Sequence, residues 1–449
     1  MSKRKLVVIG GDAAGMTAAS RIRREQPDRE IIVFERGNHT SYAACGMPYY
    51  IGGQVETKES LIVRKPDVFK KKQHIDARIR HEVIEIDCPN KRVRVNNIDK
   101  QEEFWESWDD LLIATGASPI VPKMENIDAG GIFTLSTLQS GIDVFNFIKE
   151  EKPAKAVIVG GGYVGVEMAE ALLARSIEVS LIDMAPQLMT TLDKDMADLI
   201  LEYMKEQEVK VFLEDKLVKF KKDAEGKVNA VVTDKQTIPA NIVIVGVGVK
   251  PNAEPAAKAG IRTGANGAIH INKRCETSVP NIWAAGDCAE SFHLLSQKQV
   301  HIALGTVANK HGLVAGINIS GGNAKFHGVL GTAITKFKEM EISRTGLSEK
   351  EAKSLGIDYR TETITSLSPA GYYPGAEKIN VKLVVNKQTK QIIGGQIVGF
   401  KGAAKRIDTL VTAITAGFTA QQLLNLDLSY APPFSNVWDP VQIAARRLL

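Results

Sequence analysis

The sequence predicts an α/β protein with two Rossmann-like dinucleotide-binding units and a closing α+β region. Three observations carry this expectation. An apolar strand turns through glycines into an amphipathic helix and on to a second apolar strand at "KLVVIGGDAAGMTAAS" with "EIIVFER", and again at "KAVIVGGGYVGVEMAEALLARSIEVSLID". From "FHGVLGTAITKFKEMEISRTGLS" onward the pattern changes to strands such as "INVKLVVNK" and "QIIGGQIVGF", then to the helical stretches "RIDTLVTAITAGFT" and "AQQLLNL". A chain of 449 residues has room for about three domains.

In the first unit Gly10 and Gly15 take the outer positions of a GxGxxG turn, and Asp12 stands where the second glycine belongs. Backbone N–H groups of such a turn approach a pyrophosphate at the helix N-terminus, and Glu35, at the end of the next strand, is placed to bond ribose hydroxyls. Gly11, Ala14 and Arg36 belong to the same expected site, as do Ala114, Thr115 and Gly116 of "DDLLIATGASP". The second unit has all three glycines, Gly160, Gly162 and Gly165, with Tyr163 and Val164 between them and Asp183 ending the strand. Two such units in one chain imply two dinucleotides, the arrangement of a flavin and a nicotinamide that exchange hydride.

"NIWAAGDCAES" resembles the strand that returns to the flavin in two-dinucleotide flavoproteins, a resemblance that implies FAD contacts at Gly286 and Asp287 and leaves the second unit, with Gly248 at its end, to NAD(P)H. An ordinary helix cap is the alternative for Asp287. Asp183 is followed by "MAPQ", without an arginine or lysine to receive a 2′-phosphate, so NADH is expected over NADPH. The expected domains are 1–120 (FAD, first part), 121–150 (connection), 151–248 (NAD(P)H), 249–325 (FAD, second part) and 326–449 (C-terminal).

Composition narrows the function classes. A net charge of +5 is too mild to call for nucleic acid, and the runs "RIRRE" and "KKKQ" read as solvated helix faces. No apolar run approaches a membrane span, and a cytoplasmic, unprocessed chain is expected. The four cysteines, Cys45, Cys88, Cys275 and Cys288, show neither disulfide-framework nor metal spacing, so no metal site is expected.

Cys45 differs from the other three in its surroundings. Taken in order, "VVIGGDAAG", "SYAACGMPYYIGG", "LLIATGASP", "VIVGGGYVGVEMAE", "NIWAAGDCAES" and "DLSYAPPFSNVWDP" resemble the pyridine nucleotide-disulfide oxidoreductases, most closely the coenzyme A-disulfide reductases. Glutathione-reductase-like members use a CxxxxC pair, but Tyr50 holds the position of the second cysteine, so the site has a single thiol. Such a thiol forms a mixed disulfide with a substrate or cycles through sulfenic acid. "CGMPYYIGG" looks like a helix opening, whose dipole favours thiolate. Oxidases and peroxidases of the family usually carry a histidine where this chain has Ala13, which favours disulfide or persulfide chemistry over oxygen reduction.

The resemblance also implies a homodimer formed by residues 326–449, in which Tyr430, with Tyr372 or Tyr373 of "AGYYPG", approaches the cysteine of the other subunit as a proton donor. It further implies coenzyme A contacts at Arg21, Arg24, Ser41 and Arg64. Relatives often carry Asn where this chain has Ala44, which leaves a persulfide or another low-molecular-weight disulfide open beside coenzyme A. An oxygen-reducing NADH oxidase and a non-catalytic NADH-sensing flavoprotein are the alternatives.

Overall fold

The β-branched runs of the first βαβ unit form strands buried on both faces, as parallel strands require. The computed structural model describes residues 4–449. It divides into two compact units, the first running to Ile120 and continuing in Leu135–Glu150 and Gly248–Val329. Here β1 (Lys5–Ile9), α1 (Ala13–Glu25) and β2 (Glu30–Glu35) are the predicted βαβ element. β1 lies between β2 and the strand Asp110–Ile113, and the five-stranded parallel sheet is completed by Asp76–Ile79 at one edge and Ile282–Ala284 at the other.

One face of that sheet is closed by two helices that cross at small residues. A Cβ on Gly312 of the helix Gly305–Ile319 would fall 2.4 Å from the Ala14 carbonyl oxygen, and one on Gly316 would fall 3.0 Å from that of Ala18. The Ala-rich helix of the first motif is therefore held against a glycine pair almost 300 residues away in sequence, and larger side chains there would push α1 off its turn. The expected solvated face "RIRRE" needs one correction: Arg23 donates to the carbonyls of Arg29 at 2.7 Å and His74 at 2.8 Å, because the chain folds back over it.

The second unit comprises Val121–Thr134, Glu151–Val247 and Leu330–Leu449. It repeats the pattern with β3 (Lys155–Val159), α2 (Tyr163–Leu173) and β4 (Glu178–Asp183), again in a five-stranded parallel sheet. The strands read at "INVKLVVNK" and "QIIGGQIVGF" become Glu377–Asn386 and Ile392–Gly399, neighbours in a five-stranded antiparallel sheet. Polar bonds join this sheet to the second βαβ element and the helix that follows it: Thr335 Oγ1 donates to Glu167 at 2.8 Å and Lys336 Nζ to Glu170 at 2.6 Å, and Gln396 Nε2 donates to Asp193, the N-cap of Lys194–Glu206, at 2.6 Å. No helix among the described residues is long and apolar enough to cross a membrane.

Candidate active site

The first glycine turn is built by exclusion of side chains. Gly10 sits at φ +107°, and a Cβ there would stand 2.1 Å from the Ala114 carbonyl oxygen, while one on Gly15 would stand 2.0 Å from that of Gly10. Glu35, at the end of β2, accepts from Gly11 N at 2.8 Å and from Gly37 N at 2.6 Å, which fixes its carboxylate beside the turn. α1 has no capping side-chain bond, so its first N–H groups are left for an anion. Across the unit, Asp287 Oδ1 is buried without a hydrogen-bond partner, and burial raises the carboxyl's pKa. A buried acceptor of this kind calls for a donor from outside the chain, which a hydroxyl of bound FAD would supply. These residues fit the flavin dinucleotide.

Around them, Ala14 packs under Gly286, and Thr115 Oγ1 donates to the Asn252 carbonyl at 2.6 Å. Arg36 is exposed and reaches Ser118 Oγ at 3.3 Å, and Gly116 turns at φ +67° with open space beside it. Gly248, expected at the nicotinamide site, accepts from Ile120 N at 2.9 Å.

The second turn repeats the geometry in its own unit. A Cβ on Gly160 would lie 2.4 Å from Gly246 O, and one on Gly165 would lie 1.9 Å from Gly160 O. Asp183 accepts from Gly161 N at 2.6 Å and from Ala185 N at 2.8 Å. Gly162 has nothing within 4 Å of its would-be Cβ, and Val164 packs beside Gly246. The Tyr163 hydroxyl stands 3.5 Å from Thr191 Oγ1, and burial raises its pKa. The open N-terminus of α2 and the strand-end carboxylate fit a second dinucleotide, NAD(P)H.

Cys45 lies in one 3₁₀ turn, Ala44–Gly46, which runs directly into the short helix Met47–Gly52. Its segment rests on the first glycine turn: Ser41 N donates to Gly11 O at 2.9 Å and Tyr42 N to Asp12 Oδ1 at 3.1 Å. Cys45 is exposed and outside any disulfide. Burial pushes the Cys275 thiol up to about 12 and also raises those of Cys288 and Cys88, so proximity to the turn and accessibility coincide only at Cys45. Tyr50, in the place of a second cysteine, is buried and stacks on Phe145 with ring centroids 4.6 Å apart.

The family model for pyridine nucleotide-disulphide oxidoreductases matches residues 4–312, and the model for the dimerisation domain of the same family matches residues 332–441. The chain belongs to the pyridine nucleotide-disulphide oxidoreductases. Within that family it is 42% identical over 447 residues to an NAD(P)H coenzyme A polysulfide/persulfide reductase from Pyrococcus horikoshii, covering 99% of this chain and 98% of the relative. It is 36% identical to an NADH oxidase from Methanocaldococcus jannaschii, covering 99% of this chain and 98% of the relative. It is 32% identical to a coenzyme A disulfide reductase from Staphylococcus haemolyticus, covering 98% of both chains. The solved structure of an NAD-dependent persulfide reductase from A. fulgidus superimposes with a TM-score of 0.95 at 41% identity, covering 99% of this chain and 82% of that one.

In this oxidoreductase, the dimerisation-domain tyrosines form a pair. The Tyr372 and Tyr430 hydroxyls are 3.3 Å apart, and that hydrogen bond raises the Tyr372 pKa. Tyr373 turns inward from its exposed neighbour, with 39% of its surface exposed against 75% for Tyr372. The expected coenzyme A residues are less unified. Ser41 and Arg64 adjoin, with Arg64 N donating to Ser41 O at 3.2 Å and its guanidinium 5.1 Å from the Phe69 ring centre. Arg21 pairs with Glu25 at 2.6 Å one helical turn on, and Arg24 is exposed.

Two residues escaped the sequence reading. Glu167, four positions beyond Tyr163 on α2, is largely buried and its pKa is raised by burial. Its signal was an acidic residue on the apolar side of the second motif's helix. Asp12 was noted only as a missing glycine, and its bond to Tyr42 has no local signature.

Proposed function

We propose that this chain uses NAD(P)H and FAD to reduce coenzyme A disulfide, or the related persulfide, through Cys45. The observation that carries the reading is an exposed thiol outside any disulfide, whose segment is hydrogen-bonded to a glycine turn fitted to FAD. The relatives named as coenzyme A disulfide and persulfide reductases support the substrate class. Bound FAD supplies a two-electron relay from the nicotinamide to the thiol.

The overall balance is RSSR + NADH + H⁺ → 2 RSH + NAD⁺. The Cys45 thiolate attacks one sulfur of the disulfide, forms the mixed disulfide and expels the other half as a thiolate. A tyrosine hydroxyl, Tyr430 or its partner Tyr372, hands that thiolate a proton and is then reprotonated from water. Two electrons and a proton then release the second thiol and restore the Cys45 thiolate. Glu35 and Asp183 hold the ribose ends of the two dinucleotides, and Asp183 followed by the exposed Met184 favours NADH.

Tyr372 and Tyr430, with Phe434, Val437 and Trp438, expose apolar surface on two segments tied by Ala370 N to Pro432 O at 3.0 Å. Such a surface on a matched dimerisation domain supports a homodimer that completes the site, with Ser41, Arg64, Arg21 and Arg24 receiving coenzyme A phosphates. A cytoplasmic location accompanies this reading, since a working thiol and three unpaired structural cysteines suit a reducing compartment.

The test is anaerobic NADH consumption with coenzyme A disulfide, coenzyme A persulfide and glutathione disulfide side by side. Turnover with a coenzyme A substrate is expected, falling about 100-fold or more in Cys45→Ser while FAD stays bound and reducible. Disulfide turnover retained by that variant removes Cys45 from the mechanism, and consumption that needs oxygen rather than a disulfide favours the oxidase.

A further inference from the structure

Asp12 occupies the middle glycine position of the first turn and is the N-cap of α1. Aspartate is among the best N-cap residues because its carboxylate ordinarily accepts from the first-turn amides. Here it makes no capping bond, and its Oδ1 instead accepts from Tyr42 N, three residues before Cys45. The neighbouring Ser41 N to Gly11 O bond runs alongside it, and Ser41 itself sits at φ +49°, a conformation a serine holds only when its surroundings impose it.

The second βαβ unit supplies the control. There Met189 N donates to Gly161 O at 2.8 Å, the counterpart of the Ser41 bond, but Gly162 has no side chain with which to make the other. The side-chain tether therefore occurs in the unit that carries the thiol. Beyond its contact with Ala13 N, Asp12 makes no side-chain capping bond, so the following first-turn amides of α1 remain available to a phosphate.

We propose that Asp12 is a positioning residue for Cys45, its carboxylate holding the Tyr42–Cys45 segment on the dinucleotide turn and so setting the reactivity of the thiol. This rests on Cys45 being the working thiol. The groups facing Asp12 are Glu35 from the end of β2, Asp287 from the loop after Ile282–Ala284 and the Tyr42 phenol, with Arg36 beside that phenol. Burial, reinforced by the two carboxylates, raises the Asp12 pKa to about 6.

The experiment measures iodoacetamide alkylation of Cys45 against pH on the FAD-loaded protein, followed at the peptide level, for wild type, Asp12→Asn and Asp12→Ala. Flavin content and melting temperature are recorded for each. Asparagine keeps an acceptor oxygen, so Asp12→Asn is expected to stay within about twofold of wild type at pH 8, where Asp12 is ionised. Asp12→Ala should alter the rate about fivefold or more with flavin content retained, any fall in melting temperature reporting the lost Tyr42 bond separately. On the acid side, wild type should show an inflection that Asp12→Asn lacks. Superimposable wild-type and alanine profiles overturn the proposal, as do equal losses in both variants accompanied by loss of flavin. The functional reading fails separately, through retained disulfide turnover in Cys45→Ser, which leaves the alkylation result intact.

Discussion

The two glycine turns share a backbone design and differ at their middle position. In both, a strand-end carboxylate takes two backbone N–H groups, and a glycine pair allows helix and strand to meet at distances no Cβ tolerates. In the second turn the middle position is Gly162, beside open space, whereas in the first it is Asp12, bonded to the segment bearing Cys45. The comparison teaches that the turn itself is built by the outer glycines and the strand-end acid. The middle position is free to take a second task, and in the unit with the thiol it has done so.

The largest effects should come from the shared parts. Gly10→Ala, with its Cβ driven into the Ala114 carbonyl, is expected to cut flavin retention about tenfold or more. Gly160→Ala should leave flavin in place and raise KM for NADH by about tenfold. Equal flavin loss from both variants would break the assignment of one cofactor to each turn. Next, Asp183→Ala should lower the NADH-over-NADPH ratio of kcat/KM about tenfold, by removing both the ribose ligand and the charge that repels a 2′-phosphate. An unchanged ratio would separate Asp183 from nucleotide choice.

A smaller effect belongs to the first unit alone. His311 is fully buried beneath the Gly286 turn, and burial lowers its pKa from 6.5 to about 4. Its folded-state pKa lies below the unfolded value, so between those pH values the unfolded chain holds the extra proton and stability falls as pH falls. The loss is on the order of 3 kcal/mol across the window. His311→Gln should flatten that slope, read as the change in urea midpoint between neutral and acid pH. An unaltered slope would place the acid sensitivity elsewhere.

Periodicity and punctuation made much of this legible in the sequence. The glycines, Glu35, Asp183 and the change of pattern near residue 326 are local signals, and each has a local structural meaning. Cys45 was legible through its motif, and the burial of Cys275 and Cys288 agrees with reading them as small core residues. What escaped depends on chain segments meeting in space. Arg23 lost its solvated face to carbonyls brought over by the fold, and Glu167 found Thr335 far along the chain. None of these pairings has a sequence spacing that could announce it.

The interrupted course of the first unit has a consequence for how the protein is made. Its sheet exposes the edge strand Asp110–Ile113 until Ile282–Ala284 has been synthesised, and α1 has no glycine helix to rest on until Gly305–Ile319 follows. Elongation at about 5–20 residues per second leaves that apolar edge open on the ribosome for roughly ten seconds or more. During that interval the nascent chain presents a β-edge to every other chain nearby.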